Sequence, residues 1–423
     1  MRHCAVSMGL AVYAALCRFD RDTTMSNAPF MPTAIYAEPL ANQRPPRVLV
    51  APPRYVQGPG ALQHIGRYLS VLTLSRVAIV ASARGHGAQA GEVAASLGQQ
   101  GIECVAATFG GECSLQEIET HASALEAEKV DCLIAVGGGK CVDAGKCIAH
   151  RLDVPIVVVP TLASNDAPCS AVSVLYTPEG VVSGAEFFPA NPVLVVVDTQ
   201  VVADAAERYL VAGMGDAMAT WYEARVCYDN PQAFNVLGGR PTLASCAMGE
   251  VCASTLYDDG VAAAQAVRDD CVDEALERVV EANTLLSGVG FESGGLAAAH
   301  GLAQGYTTLP EVEHDYLHGE MVAMGVVTQL VMQQDVAEAT RVTEFFAQVG
   351  LPVHLGQIGL ARGESARLDS VVMGAMEFAP IHNLPFDVLP EAVMNGILDA
   401  DTLGREVAGR VGDTAYRRLR SAR

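Results

Sequence analysis

Three residues in the second half of this 423-residue chain carry side chains suited to a divalent metal. They are Asp216 in Gly213-Met214-Gly215-Asp216-Ala217, His300 at the end of Gly294-Gly295-Leu296-Ala297-Ala298-Ala299-His300, and His318 in Leu317-His318-Gly319-Glu320. Two imidazoles and one carboxylate leave a coordination position open, the arrangement of a catalytic rather than a structural site. Spacing does not bring them together, and each fits equally as a satisfied polar group on an apolar helix. Gly305 and Pro310 break any continuous helix between the two histidines. His314 either shares the helix face of His318 or stands at the surface.

A second kind of chemistry is offered by Gly137-Gly138-Gly139-Lys140, directly after the apolar run Cys132 to Val136 and before an apparent helix from about Val142. Glycines at a strand-to-helix turn leave backbone N–H groups open to a phosphate at the positive end of the helix. The motif is neither a G-x-G-x-x-G fingerprint nor a Walker A loop, and a plain turn is the other reading. The polar loop Pro160 to Ser170 follows the run Val154 to Val159. Open α/β sheets place ligands at the carboxyl ends of strands, so its hydroxyls suit a nucleotide and Asp166 a substrate hydroxyl, unless the loop is only a turn.

Those residues need elements to hold them. Between Arg47 and about 199, short runs such as Val77-Ala78-Ile79-Val80, Cys132-Leu133-Ile134-Ala135-Val136, Ile156-Val157-Val158-Val159 and Val193-Leu194-Val195-Val196-Val197 alternate with amphipathic segments. Continuous apolar runs are what strands buried on both faces require, which predicts a parallel α/β sheet over 47–199. From 200 to 423 apolar residues recur at helical spacing, predicting an all-α second domain. Residues 1–46 lack sustained periodicity and read as an extension, disordered or a start-site artefact, with the ordered chain beginning near Arg47. The apolar run Cys4 to Cys17 resembles a signal-peptide core, but no A-x-A pattern follows it and Met25 offers an alternative start.

Composition narrows the function classes. Half the residues are hydrophobic and 18% charged, which excludes intrinsic disorder. Twenty-seven Lys and Arg against 48 Asp and Glu give a net charge of −21, the wrong sign for nucleic acid or an anionic membrane surface. Twelve cysteines without a C-x-x-C pair read as reduced thiols of a cytoplasmic protein.

At these motifs the chain resembles the glycerol dehydrogenases of the iron-containing alcohol dehydrogenase superfamily. The resemblance runs through Arg54 to Gly58, the glycine turn, Pro160 to Tyr176, Phe187 to Pro192, Tyr209 to Trp221, Phe291 to Gly295, Leu317 to Glu320 and Ile381 to Phe386, nearly all of 47–405 in order. It implies a Rossmann-like domain and a helical domain, the dehydroquinate synthase-like fold, with NAD and Zn2+ in the cleft between them. It further implies Asp216, His300 and His318 as zinc ligands, Gly137, Gly138, Gly139 and Lys140 at the cofactor diphosphate, Thr161, Ser164 and Ser170 lining the cofactor site, and Asp166 beside the substrate. The implied reaction is reversible oxidation of glycerol or a similar small diol to dihydroxyacetone, by a homo-oligomer such as an octamer.

Three departures from that pattern bear on specificity. Ser82 ends the first nucleotide-binding strand where the family usually has an Asp for the adenosine ribose. A carboxylate repels the extra phosphate of NADP, so Ser82 with Arg84 nearby points to NADP tolerance, unless Arg84 faces solvent. Gly301-Leu302-Ala303-Gln304-Gly305 replaces the usual His-Asn after the first zinc histidine, and Met321 replaces a lysine, which points to a shifted diol or hydroxyketone preference. The nearest rivals, glycerol-1-phosphate dehydrogenase and 3-dehydroquinate synthase, need cations for a phosphorylated substrate. Here the lysines are Lys129, Lys140 and Lys146, with no Lys or Arg between Phe291 and Gly325, which favours an uncharged substrate. A non-catalytic binding protein of the same fold is the remaining alternative.

Overall fold

The computed structural model describes residues 30–37, 44–83 and 88–421. Strands β1 (Tyr55–Gln57), β2 (Arg76–Ser82), β3 (Glu103–Phe109), β4 (Cys132–Gly137), β5 (Ile156–Pro160) and β8 (Leu194–Val197) form one all-parallel sheet in the order β1-β8-β5-β4-β2-β3. The residues of β4 and β8 are all buried, as expected of strands covered on both faces. Helices α1 (Gln89–Gly98), α2 (Leu115–Glu126) and α3 (Gly139–Leu152) flank the sheet. The remaining strands, β6 (Val172–Tyr176) and β7 (Val182–Phe187), make a separate antiparallel hairpin.

The strand order creates a crevice. From β2 the chain crosses to β3 on one side and then returns to place β4 on the other, so the winding direction reverses between β2 and β4. The carboxyl ends of strands at such a switch point diverge and open a ligand crevice. Ser82 ends β2 and Gly137 ends β4, so both border that opening.

After β8 the described chain is helical, in agreement with the periodicity. The helices that matter for the site are α4 (Glu207–Asp229), α5 (Leu243–Arg268), α6 (Glu274–Glu281), α7 (Ser287–Gly294), α8 (Ala298–Thr307) and α9 (His318–Met332). A π-helical turn, Ala282–Leu286, joins α6 to α7, and Gly295 at φ +102° ends α7 in a conformation that favours glycine. One apolar core runs through the helices and reaches Val142, Val158, Val195 and Val197 of the α/β part, so the two parts share a buried boundary.

The extension differs from expectation where it is described. Residues 32–36 form a short helix, and Phe30 packs against Phe187, Val236 and Phe291. Arg240 N donates to Pro46 O at 2.7 Å and Val48 N to Arg240 O at 3.0 Å, seating residues 46–48 on the helical part. An aromatic side chain supplies the burial that the missing periodicity concealed. The Cys4 to Cys17 run, Met25 and Arg84 lie outside the described residues. Among the described residues every cysteine is unpaired, most are buried, and no helix is long and apolar enough to cross a membrane.

Helix α9 packs closely on α8 because Gly325 has no side chain; a Cβ there would collide with the backbone of Ala299. A helical Gly→Ala change ordinarily gains about 1 kcal/mol. Here overpacking reverses the sign: Gly325→Ala is expected to lose about 1–3 kcal/mol. Gly91→Ala, in α1 with nothing near its would-be Cβ, is expected to gain up to about 1 kcal/mol. Denaturant midpoints of the two variants check this opposition.

Candidate active site

Helix α4 has to pass between the β5 loop and α9, and its sequence Gly213-Met214-Gly215-Asp216 permits it. A Cβ on Gly213 would strike Ala163 O, one on Gly215 would strike Gly319 O, and one on Gly319 would strike Ala212 O. This three-way contact leaves Asp216 with no exposed surface.

His300 on α8 and His318 at the start of α9 meet Asp216 there. His318 Nε2 lies 3.4 Å and His300 Nε2 3.5 Å from Asp216 Oδ1, and the three ligand atoms fall within 4.8 Å of one another. Asp216 Oδ2 accepts a hydrogen bond from Asp166 N at 3.2 Å, whereas Oδ1 is buried with no hydrogen-bond donor. A buried carboxylate oxygen is costly without a partner. Donors of a cation with bonds of about 2.1 Å at near-tetrahedral angles stand about 3.4 Å apart, so the donor set fits a divalent cation such as zinc. His314 belongs to a separate short helix, Pro310–Asp315, and its side chain is exposed.

Charge at the cluster is finely divided. Burial raises Asp216, but the imidazoles of His318 and His300 outweigh it and hold the carboxyl below its usual range. Burial and then the neighbouring Asp216 charge push Asp166 well above the usual carboxylate range, and its Oδ2 is also buried without a partner. Loss of solvation in the cleft lowers both imidazoles; for His300 the carboxylates of Glu223 and Asp216 overcome it and raise the ring well above normal, while His318, whose side chain is exposed on one side, stays below.

The glycine turn lies at the switch point. Helix α3 starts at Gly139, three residues earlier than the sequence suggests, with Gly138 as its N-cap and no side chain capping it. By contrast Ser114 and Asp273 cap α2 and α6 with their own side chains. The open N-terminus of α3 therefore keeps donors for an anion. A Cβ on Gly139 would meet the Asn165 amide and one on Gly137 would come within 2.7 Å of Cys141 Cβ, so these glycines also serve packing. Thr161 N donates to Gly137 O at 3.0 Å, drawing the β5 loop beside the turn, and Thr161 and Ser164 are half-buried along it.

Two residues of the expected cofactor set are engaged elsewhere. Lys140 Nζ lies 2.6 Å from Glu112 Oε2 and 4.4 Å from the centre of the Tyr176 ring. Ser170 is fully buried, and its hydroxyl donates to Ala167 O or Val172 O and faces Lys146 Nζ at 3.3 Å. A serine in a polar loop is exposed by composition alone; here the buried ammonium beneath the loop draws the hydroxyl inward.

The sequence reading passed over that ammonium. Lys146, one helical turn beyond Asp143 on α3, donates to Ala167 O at 2.6 Å and Val172 O at 2.8 Å and pairs with Asp143 Oδ1 at 3.3 Å. It pegs the turn after Asp166 to the helix that begins at the glycines. Glu292 on α7 was also missed: Oε1 accepts from Ala171 N at 2.9 Å and Oε2 from Asn191 Nδ2 at 2.7 Å. Asn283, in the π turn, donates to Ala163 O at 3.0 Å and Leu210 O at 3.1 Å. The one sequence signal for the first pair was charge at i, i+3 inside an apolar helix; the others are contacts between distant segments.

With fold and site in hand, the family model for iron-containing alcohol dehydrogenase matches residues 52–199. Glycerol dehydrogenase of Escherichia coli O6:H1 is 42% identical over 361 residues, 85% of this chain and 98% of that protein. Glycolaldehyde reductase of Halobacterium salinarum is 41% identical over 365 residues, 86% and 99% respectively. The crystal structure of glycerol dehydrogenase from Schizosaccharomyces pombe superposes with a TM-score of 0.83 at 33% identity, covering 87% of this chain and 93% of that one. The parallel sheet joined to a helical half is the architecture that this chain shares with solved glycerol dehydrogenases. The chain belongs to the iron-containing alcohol dehydrogenase family and is an oxidoreductase acting on a CH–OH group.

Burial pushes the Glu292 carboxyl up to about 7, against the hydrogen bonds from Ala171 and Asn191 that lower it. The unfolded chain protonates this group near 4.5, so between about 4.5 and about 7 the native state holds the extra proton and stability falls as pH rises. The interval corresponds to up to about 3 kcal/mol. Glu292→Gln is expected to flatten the stability profile over that window, read from denaturant unfolding at pH 5 and pH 8.

Proposed function

We propose that the protein oxidises a small uncharged vicinal diol, glycerol being the first candidate, to the hydroxyketone, with hydride transfer to NAD or NADP and with zinc in the site. The observation that carries this is the unpartnered Asp216 Oδ1 facing two imidazoles, with the unpartnered Asp166 Oδ2 on the adjoining loop. The reaction converts diol and NAD(P)+ to hydroxyketone, NAD(P)H and one proton. Asp216, His300 and His318 would hold the cation, which when bound acts as a Lewis acid that lowers the pKa of a substrate hydroxyl. The nicotinamide, when bound, accepts the hydride.

The protein's own residues divide the remaining work. Asp166 offers its free oxygen to the second hydroxyl of a vicinal diol, which a simple alcohol lacks. The open N-terminus of α3, with Gly137, Gly138 and Gly139 around it, receives the cofactor diphosphate. Lys140, at that helix start, is compensated by Glu112, so the backbone N–H groups carry the diphosphate, and Thr161 and Ser164 border the cofactor. Ser82, at the end of β2, faces the adenosine ribose. Ser170 contributes from beneath, holding the loop together with Lys146. Burial between the two parts excludes water and holds the reacting carbon in register with the nicotinamide.

A phosphorylated substrate is disfavoured because the arginine that reaches the His318 motif is already paired. Arg208 pairs with both oxygens of Glu320, at 2.8 and 2.7 Å, and donates to Asp315 O, which leaves its charge compensated. Met321, buried behind that motif, adds no charge. Short hydroxyaldehydes form a second substrate reading, supported by the name of the Halobacterium relative. The unpaired thiols support a cytoplasmic setting, and the family resemblance supports a homo-oligomer.

The test is the initial rate of glycerol-dependent cofactor reduction, with NAD and NADP in parallel and a chelator-stripped control. Turnover lost on chelation and restored by zinc is expected, with NADP accepted alongside NAD. Restoration by iron and not zinc overturns the metal assignment; silence with glycerol and other small diols after zinc loading overturns the substrate class. Asp166→Ala is expected to lower kcat/KM for glycerol about 3- to 10-fold, the loss of one hydrogen bond to an uncharged carboxyl, with the metal content unchanged.

A further inference from the structure

Helix α8 carries His300 yet has no local means of starting. Its N-cap is Ala297, within Leu296-Ala297-Ala298-Ala299, and none of these side chains can accept a hydrogen bond. The four N–H groups that a helix leaves orphaned at its start are nevertheless all satisfied, by two buried side chains from elsewhere. Glu223 Oε1 accepts from Ala297 N at 2.8 Å and His300 N at 3.0 Å. Gln329 Oε1 accepts from Ala298 N at 2.9 Å and Ala299 N at 3.0 Å.

Both side chains come from the helices that carry the other two ligands. Glu223 lies about two turns beyond Asp216 on α4, and Gln329 about three turns beyond His318 on α9. Gln329 Nε2 also donates to Tyr222 O at 2.9 Å, tying α9 to α4 next to Glu223. Glu223 is fully buried, and among the described residues no Lys or Arg pairs with it. What faces it is the positive end of α8 and, at 2.6 Å from Oε2, the His300 ring at Nδ1.

We propose that Glu223 is the positioning residue of the cluster: by accepting from Nδ1–H it places the ring proton there and turns the Nε2 lone pair towards Asp216 and His318. Gln329 does the complementary work of holding α8 at its height without touching the ring. This rests on the metal-site reading above. Because Oε1 is committed to two backbone N–H groups, Glu223→Gln must present its amide N–H to Nδ1. That contact moves the ring proton to Nε2, where it opposes a cation.

The experiment is chelator-competition titration of zinc on the full-length protein, with the melting temperature of each chelator-stripped variant measured alongside. Glu223→Gln is expected to raise the zinc dissociation constant about 10- to 100-fold, the usual effect of losing a carboxylate behind a ligating histidine. Gln329→Met, which removes two cap bonds of the same helix and leaves Nδ1 alone, is expected to lower the melting temperature with at most a few-fold change in zinc affinity. Equal loss of zinc affinity in both variants, in step with their melting temperatures, would make Glu223 a merely structural cap and overturn the proposal. Unchanged affinity in Glu223→Gln overturns it as well. The ring protonation of His300 in unmodified zinc-loaded protein, read by histidine 15N resonances, supplies a check independent of any variant: Nδ1–H is required. Unmodified protein that takes up no zinc instead defeats the metal-site reading itself.

Discussion

A single buried carboxylate oxygen organises this molecule. Asp216 Oδ1 sits on a helix with no exposed surface at that residue, has no hydrogen-bond donor, and faces two imidazole nitrogens at 3.4 and 3.5 Å. Such an oxygen is tolerable only where positive charge meets it, which demands that three helices and a loop arrive at one point. The side-chain-free passes at Gly213, Gly215 and Gly319 serve that demand, because any Cβ would hold α4 off its neighbours. Small residues at these places are the geometric condition for the charge arrangement.

The loop that completes the site belongs to the other half of the chain and is fastened from three directions. Lys146 holds it from α3, Glu292 from α7 through Ala171 and Asn191, and Asn283 from the π turn through Ala163. Asn283 also reaches Leu210 on α4. The cofactor-side loop and the ligand-bearing helix therefore share one amide, so their separation is set by a side chain rather than by the linker between the halves.

Legibility in the sequence followed the range of the interactions. The strands β2, β4, β5 and β8 were readable because continuous burial leaves an uninterrupted apolar run, and Asp216, His300 and His318 stood out because each interrupts an apolar or glycine-rich stretch. The resemblance joined them; spacing did not. The roles of Glu223 and Gln329 were hidden for the opposite reason: a charged or amide residue on a helix reads as a solvated face until the helix packed against it is known. Phe30 in its short segment likewise carried no periodicity, because one aromatic contact is enough to seat it.

The π turn between α6 and α7 bears on where this chain could lose a residue. A regular helix advances about 100° per residue, so one residue more or fewer turns everything after it, whereas the widened turn at Ala282–Leu286 absorbs an extra residue. Deleting one residue there would relax the turn into ordinary helix and leave Phe291, Glu292 and Ser293 close to their present facing, whereas a deletion within residues 287–290 would swing them around the axis. In that second case Glu292 would leave Ala171 and Asn191, and Ser293 would leave the backbone of Val50 that it now bonds. The helix is thus a reading frame in three dimensions, and the π turn is the place along it where one residue can be lost without shifting the frame of the packing.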